Sequence, residues 1–134
     1  MNQNREHIQQ QLATFLENEK RVLFCYLFGS VATRQTNKES DVDIAVYLNP
    51  SRVKDFFETR IDLINILSRF LKTKTDVIIL NTAPPFLKYV ILQEGILVYD
   101  RAPSQRIDFE LKSMNEYLDF KPYIEMYNNR LLAK

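Results

Sequence analysis

The sequence predicts an α/β (α+β) protein: a small mixed β-sheet with helices packed on it, followed by a C-terminal helical extension. Three observations carry this. Apolar runs of strand length recur at Val22–Phe28, Asp41–Tyr47, Asp76–Leu80 and Ile96–Tyr99. Stretches with helical spacing of apolar residues separate most of them. The last stretch, from Ser104, is helical by pattern and no further strand follows it. At 134 residues and 46% hydrophobic content the chain can bury one core, and it shows no repeat, low-complexity segment or linker.

The elements follow in order. Ile8, Leu12, Phe15 and Leu16 stand at helical spacing in an otherwise polar stretch from Arg5 to Glu19, so a helix covers the sheet there. Val22–Phe28 is nearly continuous apolar, which marks a buried strand ending at Gly29. Gly29-Ser30 reads as a strand-to-helix turn: glycine lets backbone approach a ligand, and amides opening the segment from Val31 to Gln35 would point at an anion. Asp41–Tyr47 alternates with period two and is a second strand. Ser51 is a candidate N-cap for a helix from Arg52 to Leu71, with Val53, Phe56, Phe57, Ile61, Ile64, Leu67, Phe70 and Leu71 as its apolar face. Asp76–Leu80 is a third strand. Turn chemistry from Asn81 leads to Pro85, which opens a helix stopping near Glu94-Gly95. Ile96–Tyr99 is the last strand. Within the final helical stretch, Pro122 is expected to kink or divide the helix.

The acidic residues give the chemistry. Asp41 and Asp43, two apart on a strand, project from one face while Val42, Ile44 and Val46 face the other. Carboxylates this close repel unless a cation sits between them, and oxygen donors of this kind suit Mg²⁺, which also takes substrate phosphate oxygens. Asp76 opens a further apolar strand. Laid beside the Asp41 strand, it can bind a metal or take the proton of an attacking hydroxyl. A lone Gly-Ser pair is common in loops and a lone Asp-x-Asp is often a solvated strand end. Joined in this order at strand ends, they point to phosphoryl or nucleotidyl transfer, with Gly29 and Ser30 cradling phosphates.

These residues carry a resemblance. Gly29-Ser30-Val31-Ala32 through Ser40-Asp41-Val42-Asp43-Ile44-Ala45-Val46 resembles the signature of the polymerase-β-type nucleotidyltransferases. The short chain is similar, more narrowly, to the minimal nucleotidyltransferases (MNT), antitoxins encoded beside HEPN toxins. The similarity runs from about Val22 to Asp100, and Asp76 falls where that family carries its third carboxylate. The tail around Glu116-Tyr117-Leu118-Asp119-Phe120 also resembles this subfamily. Thr33-Arg34 departs from it, since relatives often have Arg-Gly there, so no arginine role carries over to position 33.

The resemblance implies a polymerase-β-like fold over residues 1–103, with 104–134 as a helical extension packing on the domain, on a partner, or on both. It implies Asp41, Asp43 and Asp76 as catalytic residues and metal ligands. Gly29, Ser30 and Ser40 would bind nucleotide. Mg²⁺ would be the cofactor, ATP the donor, and the acceptor a hydroxyl, tyrosine by preference, of a HEPN ribonuclease toxin that adenylylation silences. Two rivals are a small-molecule (antibiotic) nucleotidyltransferase, which usually needs a second domain for its acceptor, and an antitoxin acting by occlusion alone.

Composition narrows the classes further. With 18 basic and 17 acidic residues the chain lacks the excess of positive charge that generic nucleic-acid binding requires. Arg34, Lys38, Lys72 and Lys74 could contact a triphosphate, but a solvated surface position is the ordinary reading of each. The single cysteine, Cys25, sits in a buried strand and reads as a core residue. The single histidine, His7, reads as a helix-surface residue. The polar N-terminal residues and the lack of a membrane-length apolar stretch point to a cytoplasmic protein with no membrane partner. Tyr117, Tyr123, Tyr127 and Met126 have the composition favoured at protein interfaces.

Overall fold

The computed structural model describes residues 5–29 and 41–132. The chain runs α1 (Arg5–Glu17), β1 (Val22–Phe28), β2 (Val42–Leu48), a 3₁₀ turn (Pro50–Arg52), α2 (Phe56–Leu71), β3 (Thr75–Ile79), a second 3₁₀ turn (Leu80–Thr82), α3 (Pro85–Glu94), β4 (Ile96–Asp100) and α4 (Pro103–Leu132). The strands form one mixed sheet in the order β3-β2-β1-β4. β1 is antiparallel to both β2 and β4, whereas β2 and β3 are parallel. A parallel pair needs a long crossover, and α2 supplies it.

The sheet is covered on both faces, and strand alternation decides which side chain goes where. One layer holds Ile8, Leu12 and Leu16 of α1 and Leu63, Leu67 and Leu71 of α2 against Val42, Ile44, Val46, Val77 and Ile79. The other sets Leu87 and Ile91 of α3 and Phe109 of α4 against Phe24, Tyr26, Ala45 and Leu80. Each fully buried leucine contributes about 1.5–3 kcal/mol of transfer free energy, so these two layers fix where the helices lie. A register shift between Val22 and Phe24 breaks the alternation in β1. It puts Leu23 and Phe24 on the same side, with Val22 and Cys25 on the opposite one. Phe24 then stacks on Tyr47 at 4.9 Å between ring centroids, and Phe109 closes on Tyr47 at 5.1 Å.

Three expectations are corrected. Ser51 does not cap α2; its amide is donated to the Asn49 side chain in the preceding 3₁₀ turn. The cap is Asp55, whose Oδ1 accepts from the Glu58 amide at 3.0 Å, so the helix starts four residues later than Arg52. The apolar face of α2 is also narrower than its composition. The buried stripe is Thr59, Leu63, Leu67 and Leu71 at strict four-residue spacing, while Phe57, Ile61 and Phe70 are exposed. Finally, Pro122 lies inside α4, which runs on through it undivided. The surrounding Leu118 and Phe120 are exposed, so water can take up the carbonyl that proline leaves without a donor.

Cys25 is fully buried, and burial pushes its thiol up, as a core residue requires. His7 is exposed on α1. No helix of the described residues is long and apolar enough to cross a membrane.

Candidate active site

Asp43 stands at the second position of β2, opposite Phe28 of β1 on one side and Asp76 of β3 on the other. Val42 and Val77 go into the layer under α1 and α2, so alternation turns Asp43 and Asp76 to the opposite face. Asp41 immediately precedes the strand. Partial burial pushes the Asp43 carboxyl above the usual carboxylate range, and the negative charges of Asp76 and then Asp41 push it further in the same direction. Asp43 therefore feels both of the other acids.

Gly29 forms the wall beside Asp43. It follows β1 directly and has φ +78°, the left-handed region that glycine enters without cost. A β-carbon at this position would lie 2.5 Å from Asp43 Oδ2. Two constraints thus select glycine: the turn needs positive φ, and the carboxylate occupies the space a side chain would take.

The other two carboxylates are held from outside the cluster. Asp76 Oδ1 accepts from Arg60 Nη2 and from the Val77 amide, each at 2.9 Å. Asp41 lies 3.8 Å from Lys74 Nζ, a largely exposed pair worth little in water. Among the described residues no three acidic, histidine or cysteine side chains already form a metal cage. Asp41, Asp43 and Asp76 nevertheless fit a hard divalent cation chemically, since all their donors are carboxylate oxygens and a cation would offset both the burial of the Asp43 charge and the repulsion from Asp76 and Asp41.

Of the residues singled out from sequence, Gly29, Asp41, Asp43 and Asp76 come together. Ser30 and Ser40 lie outside the described residues, as do Arg34, Lys38 and the segment from Val31 to Gln35. Sequence reasoning missed Arg60. It is 16 positions from Asp76 and reaches it only because α2 returns alongside β3, so no local pattern announces it. Beside Arg60 lies a hollow of about 380 Å³ lined by Phe56, Phe57, Ile78, Pro84 and Leu87 among others. Ile78 is two residues beyond Asp76 on the same strand face.

The family model described as Polymerase beta, Nucleotidyltransferase matches residues 10–104. The chain belongs to this nucleotidyltransferase family. Comparison with curated proteins gives no match. Among solved structures, the fold is similar to that of a chain in a toxin-antitoxin complex with AMP-PNP, at 21% identity, TM-score 0.77, 92% of this chain and 98% of that one. It is similar also to a chain of the tri-AMPylated Shewanella oneidensis HEPN toxin in complex with MNT antitoxin, at 19% identity, TM-score 0.73, 96% of this chain and 98% of that one. A third is in the MntA-HepT toxin-antitoxin complex, at 21% identity, TM-score 0.69, 96% and 97%. At such identities the likeness is one of fold, and it includes the long helix α4 of this nucleotidyltransferase.

Proposed function

We propose that this nucleotidyltransferase moves AMP from ATP to a tyrosine hydroxyl of a HEPN ribonuclease toxin and thereby acts as its antitoxin. The observation that carries the chemistry is the strand register setting Asp43 beside Asp76, with Gly29 against the Asp43 carboxylate. The complexes of similar fold, one with AMP-PNP and one with a tri-AMPylated HEPN toxin, support the choice of donor and partner.

In this reading Gly29 and Ser30, with Ser40 nearby in sequence, cradle the triphosphate. Asp41, Asp43 and Asp76 would hold Mg²⁺ through their carboxylate oxygens. The ion would neutralise the triphosphate and the charge that develops on it. Asp76 accepts the proton of the tyrosine hydroxyl as the new bond to the α-phosphorus forms, and pyrophosphate leaves. Gly29 leaves the Asp43 carboxylate the room it occupies beside the turn, where a β-carbon would displace it. Positioning and charge neutralisation supply most of the rate in such reactions, so this short list of groups suffices.

Residues 1–103 form the nucleotidyltransferase domain of this proposal, and 104–134 the extension that serves both domain and partner. The first half of α4 packs on the domain: Tyr26 Oη donates to Glu110 at 2.6 Å, Tyr117 stacks on Tyr89 at 3.7 Å, and Ser113 is buried. The second half presents Tyr123, Met126 and Tyr127, each more than half exposed, as the face for the toxin. A cytoplasmic location goes with a ribonuclease partner. The test is transfer of label from α-labelled ATP to a purified HEPN toxin in the presence of Mg²⁺. Inhibition of the toxin without label would instead identify an antitoxin acting by occlusion.

A further inference from the structure

We infer that Arg60 is a positioning residue for Asp76, fixing which of its oxygens receives the acceptor's proton. The inference rests on the proposed role of Asp76 and adds a residue that the acidic motif does not contain. Arg60 makes a two-pronged clasp: Nε donates to the Val77 carbonyl at 2.6 Å and Nη2 donates to Asp76 Oδ1 at 2.9 Å. The first prong ties the guanidinium to the backbone of β3, the terminal strand of the sheet. The second then holds Asp76 relative to that same backbone. The Val77 amide lands on Oδ1 as well, so both bonds load one oxygen. On this inference Oδ2 is the oxygen that receives the proton, in a carboxylate whose rotation about its last bond these two contacts restrain.

Lysine cannot reproduce this clasp. A planar guanidinium has donors at fixed angles that reach a carbonyl and a carboxylate together, whereas an ammonium is a point charge on a flexible stem. Both side chains of the pair are partly exposed, and Arg60 lines the hollow that also holds Ile78 and Leu87. The clasp reaches Asp76 from α2, the helix packed alongside β3.

The test compares wild type, Arg60→Met and Arg60→Lys in transfer from labelled ATP to a HEPN toxin with Mg²⁺. ATP affinity by calorimetry and the melting temperature are measured alongside. Arg60→Met should lower kcat by about 10- to 100-fold, the usual effect of removing a group that orients a catalytic side chain, with ATP affinity changed by less than about twofold. Arg60→Lys should lie between the two. Millimolar guanidinium, far below denaturing concentration, should restore part of the Arg60→Met rate, which a purely structural role would not allow. An active wild type with undiminished kcat in Arg60→Met overturns this inference alone. So does a loss of rate that guanidinium does not recover and that parallels weaker ATP binding. Should Arg60→Met fail to fold, a folded Arg60→Lys with wild-type kcat overturns it equally. A wild type that binds ATP and labels nothing overturns both this inference and the proposed function.

Discussion

Gly29 and Asp43 compete for one small volume, and the way they share it governs the residue-scale behaviour of the site. Gly29→Ala must place a methyl where Asp43 Oδ2 now lies and must hold alanine at φ +78°. The backbone term alone costs about 1–2 kcal/mol. Both the melting temperature and transfer activity should therefore fall, the second more than the first, because Asp43 is displaced. Asp43→Asn should separate these effects. The Asp43 carboxyl is raised from its ordinary 3.8 by burial and by Asp76 and Asp41. The folded chain thus binds that proton more tightly than the unfolded chain does, and stability falls as pH rises through the window above 3.8. Without divalent cation at neutral pH, Asp43→Asn should melt a few degrees above wild type, with the gap closing as pH falls toward 3.8. Its transfer activity should nonetheless collapse. A melting temperature below wild type at neutral pH in EDTA would contradict this electrostatic account. The acids were legible in sequence because strand period and spacing are local. Arg60 was not, because its contact with Asp76 exists only after α2 packs beside β3.

At the scale of elements, the strands and three of the four helices can be read to within about two residues, and α2 cannot. β1 runs over Val22–Phe28 as its apolar run requires. The start of α2 is ambiguous in sequence because Ser51 and Asp55 both have capping chemistry, and only the 3₁₀ turn at Pro50 uses up the first. Its buried face is narrower than its composition because Phe57, Ile61 and Phe70 are apolar but fall off the four-residue stripe of Leu63, Leu67 and Leu71. Asp55→Ala should cost about 1 kcal/mol in stability, measured by urea unfolding, and leave ATP affinity unchanged. α4 gives a sharper test. Its residues beyond Pro122 are largely exposed, whereas Glu110, Ser113 and Tyr117 tie its first half to the domain. Deleting 122–134 should change the melting temperature little and keep ATP binding, yet abolish capture of the HEPN toxin, since a few aromatic anchors dominate such interfaces. Co-purification of the truncated chain with the toxin would reject that docking face.

For the whole molecule, the strand order arranges the reaction in space. Gly29 follows β1, Asp43 lies on β2 and Asp76 on β3, so a triphosphate cradled at the glycine turn and an acceptor arriving on the Asp76 side would meet over the acids. The parallel pairing of β2 with β3 could be hoped for from the helix between them, but its register could not. A slip of one residue would turn Asp76 to the other face. The most direct measurement is the intact mass of a HEPN toxin after incubation with this chain, ATP and Mg²⁺, followed by peptide mapping of any added group. The account predicts a gain of whole AMP units on tyrosine, lost with EDTA and with Asp43→Asn. A toxin of unchanged mass whose ribonuclease activity is nevertheless blocked by the chain would contradict it.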